Sequence, residues 1–82
     1  MANAPDIPAL MTLLAKALVD APDEVSAEAF DEVGQIVVEL QVAENEVGKI
    51  IGRQGRMARS LRTILGAAGS KTRKRYQLEI VE

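Results

Sequence analysis

The chain has 82 residues, the size of one small domain, and its 10 Lys and Arg against 12 Asp and Glu give a net charge of −2. It has no Cys and no His, which excludes a disulfide framework, a histidine base and the two commonest ligands of transition metals. We therefore expect no cofactor. The first residues, MANAPDIPAL, have no basic region, and no apolar stretch is long enough to span a membrane, so we expect a reduced, soluble, cytoplasmic protein.

The charges are segregated along the chain. Residues 1–48 carry one Lys and ten acids, residues 49–75 carry nine basic residues and no acid, and residues 76–82 carry two acids. The three segments therefore have charges of −9, +9 and −2, which sum to −2. The basic segment indicates a polyanionic partner even though the whole chain is acidic.

The N-terminal part predicts a helix over residues 6–20 after a flexible segment, residues 1–5. Apolar residues recur at spacings of three and four from Ile7 onwards, Asp6 is a suitable cap, and Pro8 is tolerated in the first turn. Pro22 cannot continue a helix, so the helix is expected to end near Asp20.

Residues 24–34 leave two alternatives open. Val25, Ala27 and Ala29 would share one face of a short strand, whereas alanine and glutamate favour a helical turn beginning at Ser26. Residues 35–42 alternate between apolar and polar side chains and predict a strand. A turn over residues 31–34 would fold the earlier segment back antiparallel to it.

Two helices follow in the basic segment. Residues 44–51 predict a short helix, and a second helix begins near Arg56 with apolar residues on one side and Arg56, Arg59 and Arg62 on the other. Gly66 and Gly69 are expected to loosen its end. A basic run over residues 71–75 then crosses a loop, and the last residues alternate as a closing strand.

The two helices are joined by a GxxG tetrapeptide, residues 52–55. Such a match arises by chance roughly 0.4 times in a chain of this length, and residues 66–69 are a second match that we interpret as the ordinary end of a helix. Residues 52–55 differ because they open a helix between Lys49 and Arg56. Free N–H groups at a helix start attract anions, and glycines let a sugar-phosphate chain approach. The alternative is a tight corner that needs glycine only for its angles.

The segments KALVDAPDEV, VVELQVA, VGKIIGRQG and LEIVE resemble KH domains, and more closely the small bacterial single-KH RNA-binding proteins of the KhpA (YlqC) type. The resemblance extends over nearly the whole chain. It implies an α+β fold, a type II KH domain over residues 1–82 in which a three-stranded mixed sheet packs against three helices, with residues 35–82 as the minimal KH core. It also implies a groove for about four single-stranded nucleotides.

The resemblance further implies which residues bind RNA. The GRQG loop, which is Gly52, Arg53, Gln54 and Gly55, would hold phosphate, with Lys49 and Arg56 as flanking cations. One of Ile50 and Ile51 would face the core and the other the groove, in an order that stays open, and Arg59 is expected to extend the cationic track. Whether residues 71–75 contact RNA or form a solvated loop also stays open.

We therefore expect a non-enzymatic binder of single-stranded RNA, serving as an RNA chaperone or post-transcriptional regulator. Catalysis is not expected, because no histidine is present to activate a serine. The alternative is a protein-interaction module that uses the KH scaffold mainly to dimerise. The expected protein partner is a second copy of the chain or a larger KH-containing protein of the Jag/KhpB type.

Overall fold

The structure, a computed structural model, describes residues 6–81. The expected flexible segment, residues 1–5, lies outside the described residues. The elements in chain order are α1 (Ile7–Lys16), β1 (Ser26–Glu32), β2 (Gln35–Gln41), α2 (Val47–Ile51), α3 (Arg56–Thr72) and β3 (Tyr76–Val81). Short 3-10 turns occupy residues 22–24, 44–46 and 53–55.

The three strands form one mixed sheet in the order β1-β2-β3. β1 pairs antiparallel with β2 through a tight hairpin at Val33 and Gly34, and β3 pairs parallel with β2. Gly34 has φ +80°, a conformation that glycine adopts without strain. The prediction of an α+β fold with a three-stranded mixed sheet and three helices is confirmed. The type II designation itself stays a prediction.

The core lies between one face of the sheet and the helices. α1 packs on β1 and β2, whereas α3 packs on β3 and also contacts α1 and α2. The buried cluster consists of Ile7, Met11, Ala15, Val25, Val38, Leu40, Val42, Ile50, Leu61, Leu65 and Leu78. Because α3 buries its apolar side in this cluster, its arginine side is turned to solvent.

α1 begins as predicted and ends earlier than predicted. The carboxylate of Asp6 accepts a hydrogen bond from the N–H of Ala9 at 3.1 Å, and Pro8 lies in the first turn. The helix ends at Lys16 rather than near Asp20. Beyond it, the N–H groups of Asp20 and Ala21 donate to the carboxylate of Glu46 and so draw the chain away from the helix axis.

The open alternative at residues 24–34 is resolved in favour of a strand. β1 pairs with β2 over its whole length, from Ser26 opposite Gln41 to Glu32 opposite Gln35. Val25 is buried and Ala27 half-buried, but Ala29 is exposed. Pairing with an apolar neighbour therefore overrides the helix preference of alanine and glutamate at this edge of the sheet.

The expected loosening of α3 at its glycines is wrong. Gly66 and Gly69 both lie inside the helix, which continues to Thr72. Gly69 is buried, and a Cβ there would lie 2.5 Å from the carbonyl oxygen of Lys74 and 2.8 Å from the ring of Tyr76. This glycine is needed for a close approach between the helix and the chain that follows it, and it does not end the helix.

Candidate nucleic-acid interface

The GRQG loop connects α2 to α3 through a single tight turn. Gly52 has φ 77° and ψ 174°, and Gln54 (φ 57°, ψ 26°) and Gly55 (φ 73°, ψ 13°) both adopt left-handed angles. The N–H of Gly55 donates to the carbonyl of Gly52 at 3.1 Å, and the N–H of Arg56 donates to the carbonyl of Arg53. These bonds fix the loop at the start of α3.

The two glycines of the loop are not equivalent. A Cβ on Gly52 would lie 2.7 Å from the Cβ of Met57 and 2.9 Å from its backbone nitrogen, whereas a Cβ on Gly55 would meet nothing within 4 Å. Gly52 also has backbone angles that are almost restricted to glycine. Gly52 is therefore required by the fold of the loop, and Gly55 is the position where a side chain would project into open space.

Two main-chain donors at the tip of the loop are free. In the described part of the chain, the N–H groups of Arg53 and Gln54 donate to no acceptor. Successive N–H groups in a turn conformation form a concavity that binds anions, and the start of a helix adds partial positive charge. The tip of the loop can therefore receive a phosphate oxygen through backbone atoms alone.

Three arginines lie in the loop or in the first turn of α3 after it. Arg53, Arg56 and Arg59 are exposed and form no ion pair with any residue from 6 to 81. The guanidinium of Arg56 makes a long hydrogen bond of 3.4 Å to the side-chain oxygen of Gln54. Arg62 instead donates to the carbonyl of Leu78 at 3.4 Å, at the edge of the sheet. Of these four arginines, Arg53, Arg56 and Arg59 are therefore the ones whose guanidinium groups donate to no main-chain carbonyl within residues 6–81.

Lys49 is engaged by two carboxylates. Its ammonium group donates to Asp20 and, at 3.2 Å, to Glu46. These two carboxylates raise the pKa of Lys49. The pKa of Glu46 is lowered, first by the hydrogen bond from the N–H of Asp20 and then by those from Ala21 and Lys49, although burial opposes the change. An ammonium group has three N–H donors, so one of them remains for a phosphate.

The order of the two isoleucines is settled by their burial. The side chain of Ile50 is 0% exposed and belongs to the core, whereas that of Ile51 is 40% exposed beside the loop. Of the two predicted roles, Ile50 therefore has the one that faces the core. Of the two isoleucines, Ile51 is therefore the one that can contribute an apolar surface to a groove at this site.

Comparison with known proteins identifies the family of the chain. Residues 9–80 match the family model described as "KhpA/KhpB, KH domain". The chain belongs to this family. Relatives named "RNA-binding protein KhpA" include those of Aquifex aeolicus (49% identity over 89% of this chain and 92% of the relative) and Borreliella burgdorferi (47% over 89% of each). That of Clostridium acetobutylicum is 44% identical over 88% of this chain and 96% of its own length. No solved structure matches significantly.

Two acidic residues beside this loop were not predicted from the sequence. Glu46, which is 3% exposed, lies three positions before Lys49, and this helical spacing was a signal for the pair; Asp20 lies 29 positions before Lys49, so only the fold reveals its contact with the ammonium group. Within residues 6–81 no group of three or more acidic side chains could hold a metal ion. No helix in that range is long and apolar enough to cross a membrane.

Proposed function

We propose that the chain binds single-stranded RNA at the GRQG loop without catalysing a reaction, and that it works in the cytoplasm as an RNA chaperone or post-transcriptional regulator. The observation that carries this proposal is the pair of free N–H groups on Arg53 and Gln54 at the start of α3. The name of the relatives, RNA-binding protein KhpA, supports the choice of RNA as the polyanion.

Each side chain of the site has its own part in this proposal. Arg53, Arg56 and Arg59 pair with successive phosphates, and Lys49 adds the one N–H that Asp20 and Glu46 leave open. Gln54 contributes its main-chain donor, and Ile51 receives a base on its exposed surface. Single-stranded RNA suits this arrangement because its unstacked bases are accessible to side chains beside the backbone contacts.

We also propose a protein partner, either a second copy of the chain or a larger KH-containing protein of the Jag/KhpB type. Phe30, an exposed aromatic side chain on the edge strand β1, supports such a contact. A pure dimerisation module is the weaker proposal, because it assigns no role to the free donors of the GRQG loop. The dimer and the RNA complex can exist together.

Salt dependence tests the RNA proposal. With about three to five phosphate contacts and a slope of about −0.7 per contact for single strands, a fourfold rise in salt is expected to weaken binding of an oligouridine about 20- to 130-fold. Fluorescence anisotropy at several salt concentrations measures the slope. Arg59→Gln should reduce its magnitude by about 0.7, whereas Lys16→Gln, which removes an exposed cation from the end of α1, should leave it unchanged. A flat salt response of the wild type would contradict the proposal.

A further inference from the structure

A second group of cations lies at the far end of α3. The basic turn, residues 73–75, follows the helix directly, and its main chain is fixed at both ends. The N–H of Lys74 donates to the carbonyl of Gly69 at 2.8 Å, and the carbonyl of Arg75 accepts from the N–H of Ile36 at the same distance. All three side chains are exposed, and none forms an ion pair with a residue in the range 6–81. The turn therefore presents three free positive charges on a rigid support.

A cleft opens beside this turn. Its volume is about 550 Å³, and it lies between Gly66, Gly69 and Ser70 of α3 and the side chain of Tyr76 at the start of β3. A Cβ on Gly66 would project into open space, while the absence of one on Gly69 lets the Tyr76 ring approach the helix. We call it the Tyr76 cleft. It is a shallow cleft that is widely open to solvent.

The composition of the Tyr76 cleft fits a nucleotide. Arginine and lysine bind phosphate, and an aromatic ring provides a face on which a base of a single strand can stack. On the other side of the turn, a smaller cleft of about 270 Å³ is lined by the same three cations but also by Asp31 and Glu32. Those carboxylates repel a phosphate, so the favourable side for an anion is the one that holds Tyr76.

A surface without acidic side chains connects the Tyr76 cleft to the GRQG loop. At 3.6 residues per turn, five residues of α3 fall within an arc of about 80°. They are Arg56, Arg59, Thr63, Gly66 and Ser70, and all five are exposed. α3 has 17 residues and is therefore roughly 25 Å long. A strand that leaves the loop can follow this face of the helix and meet no carboxylate on it.

We infer that the Tyr76 cleft is a second nucleotide-binding subsite, which takes a base and phosphate of the same RNA strand beyond the nucleotides held at the GRQG loop. This inference rests on the proposed function. It assigns a role to residues 73–75 of the basic run, which the sequence left undecided. It also predicts that affinity depends on the length of the RNA. A four-nucleotide RNA fills the loop alone, whereas a longer one reaches both sites.

The test compares two lengths of oligouridine, about four nucleotides and about three times that length. The variant R73Q/K74Q/R75Q should bind the longer RNA at least about 10-fold more weakly than the wild type does. The slope of its log affinity against log salt should be smaller in magnitude by about two. Its affinity for the shorter RNA should stay within about twofold of the wild type. Tyr76→Leu keeps an apolar side chain at the half-buried position and should weaken the longer RNA at least about fivefold through lost stacking. Lys16→Gln should change neither affinity.

Three outcomes would overturn the inference. The triple variant could bind the longer RNA as tightly as the wild type does, or it could lose affinity equally for both lengths, which would indicate a general charge effect instead of a subsite. It could also keep both RNA affinities and lose binding of a polyglutamate peptide, which would make the turn a protein interface. If the proposed function itself were wrong, the wild type would bind neither oligouridine. This result differs from all three outcomes above, in which the wild type binds RNA.

Discussion

Replacement of Gly55 by aspartate is expected to weaken RNA binding about 100-fold, because a carboxylate opposite a phosphate costs several kcal/mol at an interface. The new side chain would meet nothing within 4 Å in the protein and would project where the RNA backbone approaches. Its left-handed backbone conformation costs about 1 kcal/mol and is one that Asp tolerates better than most residues. Anisotropy with an oligouridine and a thermal melt measure both effects.

A matched control for Gly55→Asp is Ala9→Asp. This change adds the same charge at an exposed position in the first turn of α1, where a helix start favours an acid. It should leave RNA affinity nearly unchanged. If both variants weakened binding equally, the effect would come from net charge and the role of the loop would be refuted. Gly52 is unsuitable for this test, because a side chain there collides with Met57.

Truncation of the two neighbouring isoleucines is expected to have opposite consequences. Ile50→Ala removes a fully buried side chain from the core and should lower the free energy of unfolding by about 2–5 kcal/mol. In a domain of this size, that loss corresponds to a melting temperature lower by at least about 8 °C. Calorimetry on the variant measures the shift.

Ile51→Ala should instead leave stability within about 0.5 kcal/mol of the wild type, since its side chain is exposed beside the loop. Each apolar carbon buried against a base contributes about 0.8 kcal/mol, so loss of one or two such contacts should weaken RNA binding about 4- to 15-fold. A variant that binds RNA normally would remove Ile51 from the proposed groove. An Ile50→Ala variant as stable as the wild type would contradict the assignment of that residue to the core.

Much of the fold was predictable because its elements have one apolar and one polar side. Alternating apolar residues in 35–42 indicate which side of β2 faces the core. The spacing of three and four between apolar residues does the same for α3. β1 lacks this contrast, since its alanines carry little apolar surface and most of the strand is exposed. Only its pairing with β2 decides its conformation, and pairing partners are not visible in a local pattern.

The candidate site was predictable in its main chain and less so in its charges. The glycines and the helix that follows them indicated the GRQG loop directly. Glu46 lies only three residues before Lys49 in the sequence, but Asp20 is brought to its ammonium group by the fold alone. The contact between Asp20 and Lys49, which are 29 positions apart, depends on how the chain after α1 packs against α2. The local charge pattern therefore overstates the positive charge at this end of the site.

The central claim is that the free N–H groups of Arg53 and Gln54 capture the phosphate backbone of single-stranded RNA. Titration of isotope-labelled protein with an oligouridine, followed by NMR of the backbone amides, tests this claim most directly. We predict that the amide resonances of Arg53 and Gln54 shift most strongly and saturate with the binding curve. Unchanged resonances at these two residues, with shifts concentrated on the sheet or on α1, would contradict the account.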